Sequence, residues 1–209
     1  MFIPKAFRQE NIQACLALMQ AYPFATLVAQ SDEGIEVYHL PMVLKPNGES
    51  GLLQGHIAKA NPLWQKVASG TQVQVIFNGP NCYISPNHYP TKAEDGRAVP
   101  TWNYAVVHVQ GKINFTRDPD WIMTCIQDLT SIHEADSATP WTFDEAPPGY
   151  IERMLPAIVG IEIEITGIQG KWKLSQNQPR VNQQGVINGL NALTPQSQQV
   201  ATMVEEAMK

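Results

Sequence analysis

Apolar residues with helical spacing mark several short stretches of this chain. Ile12, Cys15, Leu16 and Met19 follow the i, i+3, i+4, i+7 pattern of an amphipathic helix, and Pro23 closes it. Capping residues, prolines or the same spacing predict further helices at residues 61–67, 118–132, 148–155, 185–193 and 200–207. The helices are therefore expected to be short and amphipathic.

Between these helices the period changes to that of a β-strand. Apolar and acidic residues alternate strictly from Ile161 to Ile165, which predicts a strand with one wet face. Alternation or short apolar runs predict further strands at residues 24–30, 35–44, 52–56, 73–77, 82–84 and 102–115. Turns are expected at 31–34 and 46–48, a hairpin around 78–80, and a long irregular loop over 86–100.

Many strands with helices at their periphery indicate a mainly β fold of the α+β class, a barrel with helical decoration. The regular strand–helix alternation of a Rossmann fold is missing from the sequence. The 209 residues suit one large domain with a small appendage. We expect a barrel domain over residues 1–193 and a C-terminal helix over 194–209.

The charge and the cysteine content narrow the possible partners and the expected cellular location. Charged residues make up 16% of the chain, below the usual quarter, which predicts surface covered by a partner subunit or a ligand. A net charge of −5 without a Lys/Arg run disfavours DNA binding by this chain alone. No signal-peptide pattern or membrane-spanning apolar run occurs, and Cys15, Cys82 and Cys125 read as buried reduced thiols. We expect a cytoplasmic protein.

Polar and aromatic residues gather in segments where neither period requires them. These segments are residues 38–41, 55–62, 83–86, 99–104 and 170–177. Lys59 precedes a helix start at Asn61, an arrangement suited to an anion, although a plain cap beside a solvated lysine has the same pattern. Lys171 and Lys173 share a strand face opposite Trp172, which fits either a phosphate or flavin clamp or an exposed cationic strand.

Several common chemistries lack support in this sequence. His39 and His56 lie in or beside strands, where a histidine is more often a satisfied structural residue than a ligand. Neither belongs to a metal-binding spacing, so no metal site is predicted. The chain has no GxSxG, Walker A or GxGxxG pattern, which removes the usual support for hydrolase, triphosphatase and Rossmann functions.

Eight segments together resemble a known family. They read MFIPKAFR, YPFATLVA, HLPMVL, GHIAKANPLW, YISPNHYP, VPTWNYAVVHVQG, PPGYIERMLPAIVGIEIEI and GKWKLSQNQP. In this order they are similar to the PaiB-like family of FMN-binding negative transcriptional regulators, also described as FMN-binding type 2. The resemblance runs from Met1 to about Leu193, and the combination of VPTWNY with KWKLSQN is its most specific part.

This resemblance implies a split β-barrel related to pyridoxamine phosphate oxidase, with FMN held between the two subunits of a homodimer. Lys59, Lys171 and Lys173 suit the terminal phosphate. Trp102 and Tyr104 offer flat faces to the ring system, unless they fill the barrel core, and Asn103 can both donate and accept hydrogen bonds. The full set of predicted FMN-binding residues is His39, His56, Lys59, Asn61, Ser85, Trp102, Asn103, Tyr104, Lys171, Lys173 and Gln176.

Three functions remain open at this point. The family resemblance favours an FMN-binding negative transcriptional regulator or flavin-dependent sensor. The same fold also serves flavin-dependent oxidoreductases, in which the cofactor carries the electrons. A haem-binding or haem-degrading protein is the third, with His39, His56, His88 or His108 as the candidate axial ligands. No catalytic residue is assigned.

Overall fold

The computed structural model describes residues 1–47 and 51–208, with only the backbone of Asp95. The predicted turn at 46–48 therefore falls partly outside the described residues. The described strands are β1 (Arg8–Gln9), β2 (Phe24–Ser31), β3 (Gly34–Pro41), β4 (Val43–Lys45), β5 (Leu52–Ala58), β6 (Gln72–Ile84), β7 (Thr101–Thr116) and β8 (Ile158–Lys173). The described α-helices are α1 (Ile12–Ala21), α2 (Leu63–Lys66), α3 (Lys92–Asp95), α4 (Pro119–Glu134), α5 (Tyr150–Met154), α6 (Arg180–Asn191) and α7 (Pro195–Ala207).

The strands form one sheet in the order β3-β2-β6-β7-β8-β5-β4, and β1 also pairs with β8. β2 pairs antiparallel with β3 and β6, while β5 pairs antiparallel with β4 and β8. Helices follow or precede the strands without the regular alternation of a parallel sheet. The predicted fold class, mainly β with helical decoration, is confirmed at this level.

The chain divides into two compact units. The central unit runs from Met19 to Phe77 and from His108 to Ile168. The terminal unit contains Met1–Leu18, Asn78–Val107 and the residues from Gln169 onward. The long strands β6, β7 and β8 each contribute residues to both units. The expected boundary at residue 193 stays a prediction, although α7 begins close to it, at Pro195.

In the central unit, strand alternation builds the core. Ile161, Ile163 and Ile165 of β8 are buried, and Leu53 and Ile57 of β5 are buried beside them. Asp118 caps α4 by accepting a hydrogen bond from the Asp120 N–H at 3.0 Å, as its sequence predicts. Cys125 and Leu129 of α4 then pack against Val43, partly covered by Trp121. These contacts place the apolar face of α4 against β4.

Two strand predictions need correction. The single strand expected over 35–44 is divided into β3 and β4, because the Met42 N–H leaves the ladder and donates to the Pro23 carbonyl at 3.0 Å. The hairpin expected around 78–80 is wrong, since β6 runs unbroken from Gln72 to Ile84. A Cβ at Gly79 would lie 2.8 Å from Leu18 Cδ1 and 3.2 Å from the Ala105 carbonyl oxygen. This glycine therefore permits a close approach rather than a turn.

In the terminal unit, α6 and α7 close a second core. Its buried side chains are Cys82, Ile84, Tyr89, Leu174, Val186, Ile187, Leu190, Val200, Ala201 and Val204. The loop expected over 86–100 contains a 3-10 turn (Pro86–His88) and α3. His88 lies against α6 where Gly185 and Gly189 leave room: a Cβ on Gly189 would be 2.0 Å from His88 Nδ1. The two glycines thus set the distance between α6 and this loop.

Two general expectations can be compared with the structure. Cys15, Cys82 and Cys125 are free and buried, as predicted, and burial raises the pKa of Cys82 and of Cys125 to about 11. No helix in the described part of the chain has the length and apolarity needed to cross a membrane. The location of the protein in the cell stays a prediction.

Replacing Gly185 by alanine tests the packing of α6. We expect Gly185→Ala to lower the free energy of unfolding by about 1–3 kcal/mol, because a Cβ would lie 2.1 Å from the His88 carbonyl oxygen. This cost exceeds the gain in helix propensity of at most about 1 kcal/mol. Urea denaturation measures the change, and thermal melting should fall by about 2–4 °C per kcal/mol.

Asn188→Ala, at an exposed position of the same helix, is the matched control and should stay within about 0.5 kcal/mol of the wild type. A Gly185→Ala variant as stable as the wild type would contradict the close packing at His88.

Candidate functional site

The predicted FMN-binding residues are divided between the two units. Ser85, Trp102, Asn103, Tyr104, Lys171, Lys173 and Gln176 lie in the terminal unit, and His39, His56, Lys59 and Asn61 lie in the central unit.

The first residues of β7 point to two different sides. Trp102 is 53% exposed and Tyr104 is half-buried, whereas Asn103 between them is 1% exposed. Successive side chains of a strand alternate between its faces. The structure therefore separates Asn103 from the two aromatic residues with which it was grouped in the sequence, and the aromatic rings do not fill the core.

Trp102 and Tyr104 line a surface groove of about 460 Å³, which we call the aromatic groove. Its other walls are Ala105 and Val106 of β7 and Asn78, Gly79 and Asn81 of β6. The Lys171 ammonium lies 5.3 Å from the centroid of the Tyr104 ring, and the Tyr83 ring meets Trp102 edge-on at 6.4 Å. The groove thus combines flat aromatic surface with one cation at its side.

Lys173 lies in different surroundings from Lys171. Its ammonium donates to Thr101 Oγ1 and, at 2.6 Å, to the Trp102 carbonyl oxygen. Burial, followed by the nearby Lys171 charge, lowers the pKa of Lys173. Trp172, between the two lysines, packs against the core cluster of Cys82 and Ile84, so the predicted alternation of this strand is confirmed for Trp172.

Asn103 and Lys173 line a second cavity, the polar pocket, of about 250 Å³. Its other lining residues are Phe7, Tyr89, Arg97, Ala98, Val99, Thr101, Ser175, Asn177 and Gln178. Asn103 Nδ2 donates to Ser175 Oγ at 2.9 Å, and both residues are buried. Ser175 and Thr101 were missed in the sequence, although they stand inside the KWKLSQN and VPTWNY segments, because a lone hydroxyl carries no spacing signal.

Gln176 and Ser85 satisfy neighbouring backbone groups. Gln176 accepts a hydrogen bond from the Leu174 N–H at 2.7 Å and donates to the Trp172 carbonyl at the same distance. Ser85 Oγ accepts from the Asn87 N–H at 3.2 Å. Both side chains therefore hold turns in this structure, and their contact with FMN stays a prediction.

In the central unit, Lys59 and Asn61 stand at the end of β5. Asn61 Oδ1 accepts a hydrogen bond from the Leu63 N–H at 3.0 Å, which is the predicted capping interaction. The helix that follows has only four residues, Leu63–Lys66, so its dipole adds little to an anion site. Attraction for an anion at this place depends on the exposed Lys59 ammonium itself.

The two histidines of this unit differ in exposure. His39 is exposed on β3, with Nδ1 3.0 Å from Thr26 Oγ1. His56 is half-buried on β5 beside Gly160 of β8, and its Nδ1 is buried without a hydrogen-bond partner. Burial lowers the pKa of His56, so its ring is neutral near pH 7. His39 is the more accessible of the two for a ligand.

One side of the β2–β3 hairpin leaves apolar residues exposed. Phe24 is 68% exposed, Ile35 70% and Val37 52%, and the ladder pairs Val28 with Val37 and Gln30 with Ile35. The strand predicted over 24–30 is present as β2, and its positions alternate between buried and more open ones. We call Phe24, Val28, Ile35 and Val37 the apolar face of the central unit.

The described residues include no group of three or more His, Cys, Asp or Glu side chains placed to hold a metal ion. The donors at the aromatic groove and at Lys59 are instead ammonium groups, amides and aromatic rings. Such groups suit an organic ligand that carries an anionic group.

Sequence comparison finds one family over most of the chain. The family model described as "Putative FMN-binding domain" matches residues 1–167. Protease synthase and sporulation protein PAI 2 of Bacillus subtilis (strain 168) is 31% identical over 210 residues, which cover 100% of this chain and 99% of that protein. An uncharacterized protein of Emericella nidulans is 32% identical over 207 residues, covering 82% of each chain.

Comparison with solved structures supports the fold. The flavocytochrome Anf3 from Azotobacter vinelandii has a TM-score of 0.59 at 11% identity, covering 79% of this chain and 69% of its own. The FAD and heme binding protein from Mycobacterium smegmatis has a TM-score of 0.54 at 13% identity, covering 79% and 73%. The predicted split-barrel fold is confirmed, as is FMN, the cofactor by which the matching family is described.

The buried His56 predicts a pH-dependent stability. Because its folded pKa lies below the unfolded value, the unfolded chain binds this proton more readily. The folded protein is therefore destabilised relative to the unfolded chain as the pH falls below about 6.5. Urea denaturation at several pH values should show this loss of stability, with a flatter slope for His56→Gln.

His133→Gln, which changes an exposed histidine, is the control and should keep the wild-type slope. Burial also lowers the pKa of His108, so part of the slope should persist in His56→Gln. Identical slopes in the wild type and His56→Gln would refute the assignment to His56.

Proposed function

This chain belongs to the PaiB-like FMN_bind_2 family, and on that premise we propose that it is an FMN-binding regulatory or sensor protein that works as a homodimer. The proposal has three parts: the place of the flavin, the kind of regulation and the assembly.

The aromatic groove is the observation that carries the flavin proposal. Trp102 and Tyr104 expose ring surface along a groove of about 460 Å³, within the usual range of roughly 300–1,000 Å³ for ligand pockets. Lys171 stands beside this surface. These groups fit a flat heteroaromatic ring that bears polar edge atoms. Bound FMN supplies electron transfer, while the protein supplies binding and orientation.

Lysine side chains support recognition of the terminal phosphate. Lys59 is exposed, and its ammonium has no partner among the described residues, so it can pair with an anion without breaking another interaction. Its backbone is fixed, since its N–H donates to the Ala157 carbonyl at 2.7 Å and its carbonyl accepts from Trp64 Nε1 at 3.0 Å. The remaining proposed FMN contacts are His39, His56, Asn61, Ser85 and Gln176. Asn103 and Lys173, which the sequence grouped with them, line the separate polar pocket.

The proposed regulation acts through a partner rather than by direct operator binding. The net charge of −5 opposes approach to the phosphate backbone of DNA. Lys59, Lys171 and Lys173 lie at the proposed ligand sites. The Bacillus subtilis relative is named a protease synthase and sporulation protein, which is consistent with a regulatory role.

A flavin-dependent oxidoreductase is the second candidate, because the exposed aromatic groove leaves its ligand accessible to a second molecule. Catalysed oxidation of reduced nicotinamide by the FMN-loaded protein would favour it over a sensor. Haem binding is a third, since two solved structures of this fold are described as a flavocytochrome and as an FAD and heme binding protein. A Soret band in the purified protein would favour haem over flavin.

The apolar face supports a homodimer. Phe24, Ile35 and Val37 would stay in water in an isolated chain, whereas a two-fold contact would bury them against their copies. The low fraction of charged residues agrees with a covered surface. An obligate dimer of this kind buries above roughly 2,000 Å² in total.

Flavin titrations test the two parts of the site separately. We expect FMN to bind tighter than riboflavin by about 1.5–3 kcal/mol, because only FMN offers a phosphate to the lysines. Lys59→Ala should weaken FMN but not riboflavin, whereas Trp102→Ala should weaken both equally, since both ligands contain the ring. Quenching of flavin fluorescence measures each dissociation constant.

Lys112→Ala removes a charge from an exposed position of β7 and is the control for Lys59→Ala. Equal affinity of the wild type for FMN and riboflavin would remove the phosphate argument. Unchanged riboflavin binding in Trp102→Ala would place the ring outside the aromatic groove.

Light scattering tests the assembly. The wild type should have the mass of a dimer at micromolar concentration, and Val37→Glu should shift it to a monomer by placing a charge in the apolar contact. Val181→Glu, which introduces the same charge at an exposed apolar position of α6, should remain dimeric. A monomeric wild type would contradict the proposal directly.

A further inference from the structure

The polar pocket is not explained by flavin binding. It lies wholly in the terminal unit, beside the buried Asn103 and away from the side of β7 on which Trp102 and Tyr104 stand. Its volume of about 250 Å³ is below the roughly 300–1,000 Å³ of pockets for drug-sized ligands. The pocket therefore suits a ligand of a few heavy atoms.

The charge of the pocket selects anions. Lys173 and Arg97 both line it, and none of the described residues at its wall is acidic. The Lys173 ammonium donates to Thr101 Oγ1 and to the Trp102 carbonyl oxygen, and forms no ion pair with any residue that the structure describes. An ammonium has three donor hydrogens, so one remains for a ligand. Burial without a counter-charge is costly, and an anion would offset that cost.

A second, buried donor stands at the base of the pocket. Asn103 is 1% exposed, and one hydrogen of its Nδ2 is used by Ser175 Oγ at 2.9 Å. A carboxamide has two such hydrogens, so the other is available to an acceptor. Lys173 and Asn103 therefore each offer a donor at the wall of this pocket.

The base of the pocket is held in place before any ligand arrives. Ser175 has a φ of 64°, an unusual value for a residue other than glycine. Its carbonyl accepts a hydrogen bond from Gln183 Nε2 at 3.2 Å, and its hydroxyl interacts with Tyr89. Strained and well-supported backbone of this kind is common at binding sites.

The rest of the wall is apolar. Phe7, the buried Tyr89 and Val99 contribute hydrocarbon and ring surface beside the charged groups. A ligand with a charged end and a short apolar end would satisfy both kinds of surface.

We propose that the polar pocket binds a small organic monocarboxylate with a short apolar chain, its carboxylate on Lys173 and Asn103 and its chain against Phe7, Tyr89 and Val99. This site is additional to the proposed flavin site and does not depend on it. Asn103 and Lys173 then serve this ligand rather than FMN.

Calorimetric titration of the flavin-free protein with acetate, propionate, butyrate and inorganic phosphate tests the proposal at constant ionic strength. We expect one saturable site for butyrate with a dissociation constant on the order of 1 mM, and weaker binding of acetate, which lacks the apolar chain. Lys173→Gln should raise the butyrate constant about tenfold or more.

Lys112→Gln removes the same charge from an exposed position of β7 in the central unit and is the control, expected to change the constant by less than about twofold. Val99 is exposed at the wall of the pocket, and Val99→Glu should weaken the binding of butyrate because the two carboxylates repel each other. This variant tests the proposal if Lys173→Gln does not fold. Equal losses in both lysine variants, or no saturable binding, would overturn the proposal.

Two other results would also overturn it. Binding of phosphate without binding of butyrate would assign the pocket to a phosphate group. Displacement of butyrate by FMN, but not by riboflavin, would make the pocket the phosphate end of the flavin site. Independent binding of butyrate with and without FMN supports the proposal even if the aromatic groove fails its own test.

Discussion

The buried hydrogen bond between Asn103 and Ser175 organises both proposed sites of the terminal unit. It joins Asn103, near the start of β7, to Ser175, in the segment that follows β8. Both residues are almost fully buried. Removing one partner would leave the other polar group unsatisfied at a cost of about 1–3 kcal/mol. With Asn103 fixed inward, strand alternation requires Trp102 and Tyr104 to face away from it. The aromatic groove and the polar pocket are consequences of this one contact.

Close packing at several glycines positions the strands and the helix of the same unit. Gly79 lets β6 pass Leu18 and the Ala105 carbonyl, and Gly170 approaches Cys15 Sγ, where a Cβ would lie 2.6 Å away. Gly185 and Gly189 let α6, which also carries Gln183, lie against His88. Gln183 donates to the Ser175 and Gln178 carbonyls, so the position of α6 is linked to two residues that line the pocket. These glycines, which sequence patterns associate with turns or helix ends, are therefore positions of close packing.

The sequence predicts the elements better than it predicts the surroundings of single side chains. Periodicity locates α1, α4 and β8, because each buries one regular face. It fails at Gly79, where a turn signal and a close contact use the same residue types. Family resemblance finds the VPTWNY and KWKLSQN segments, but it cannot separate Lys171 from Lys173, since their difference lies in which neighbours each ammonium meets. Such differences arise only when distant segments come together.

The separation of these two lysines gives the terminal unit cations in two different surroundings. Lys171 lies beside exposed aromatic surface, which suits a flat ligand. Lys173 is partly buried and contacts neutral acceptors, which suits a compact anion. Both donors are attached to the last residues of β8, and Asn103 and Trp102 are neighbours in β7. Occupation of either side would fix the same two strand ends. The two proposed ligands would therefore contact the same two strand ends from different sides, each through a lysine of its own.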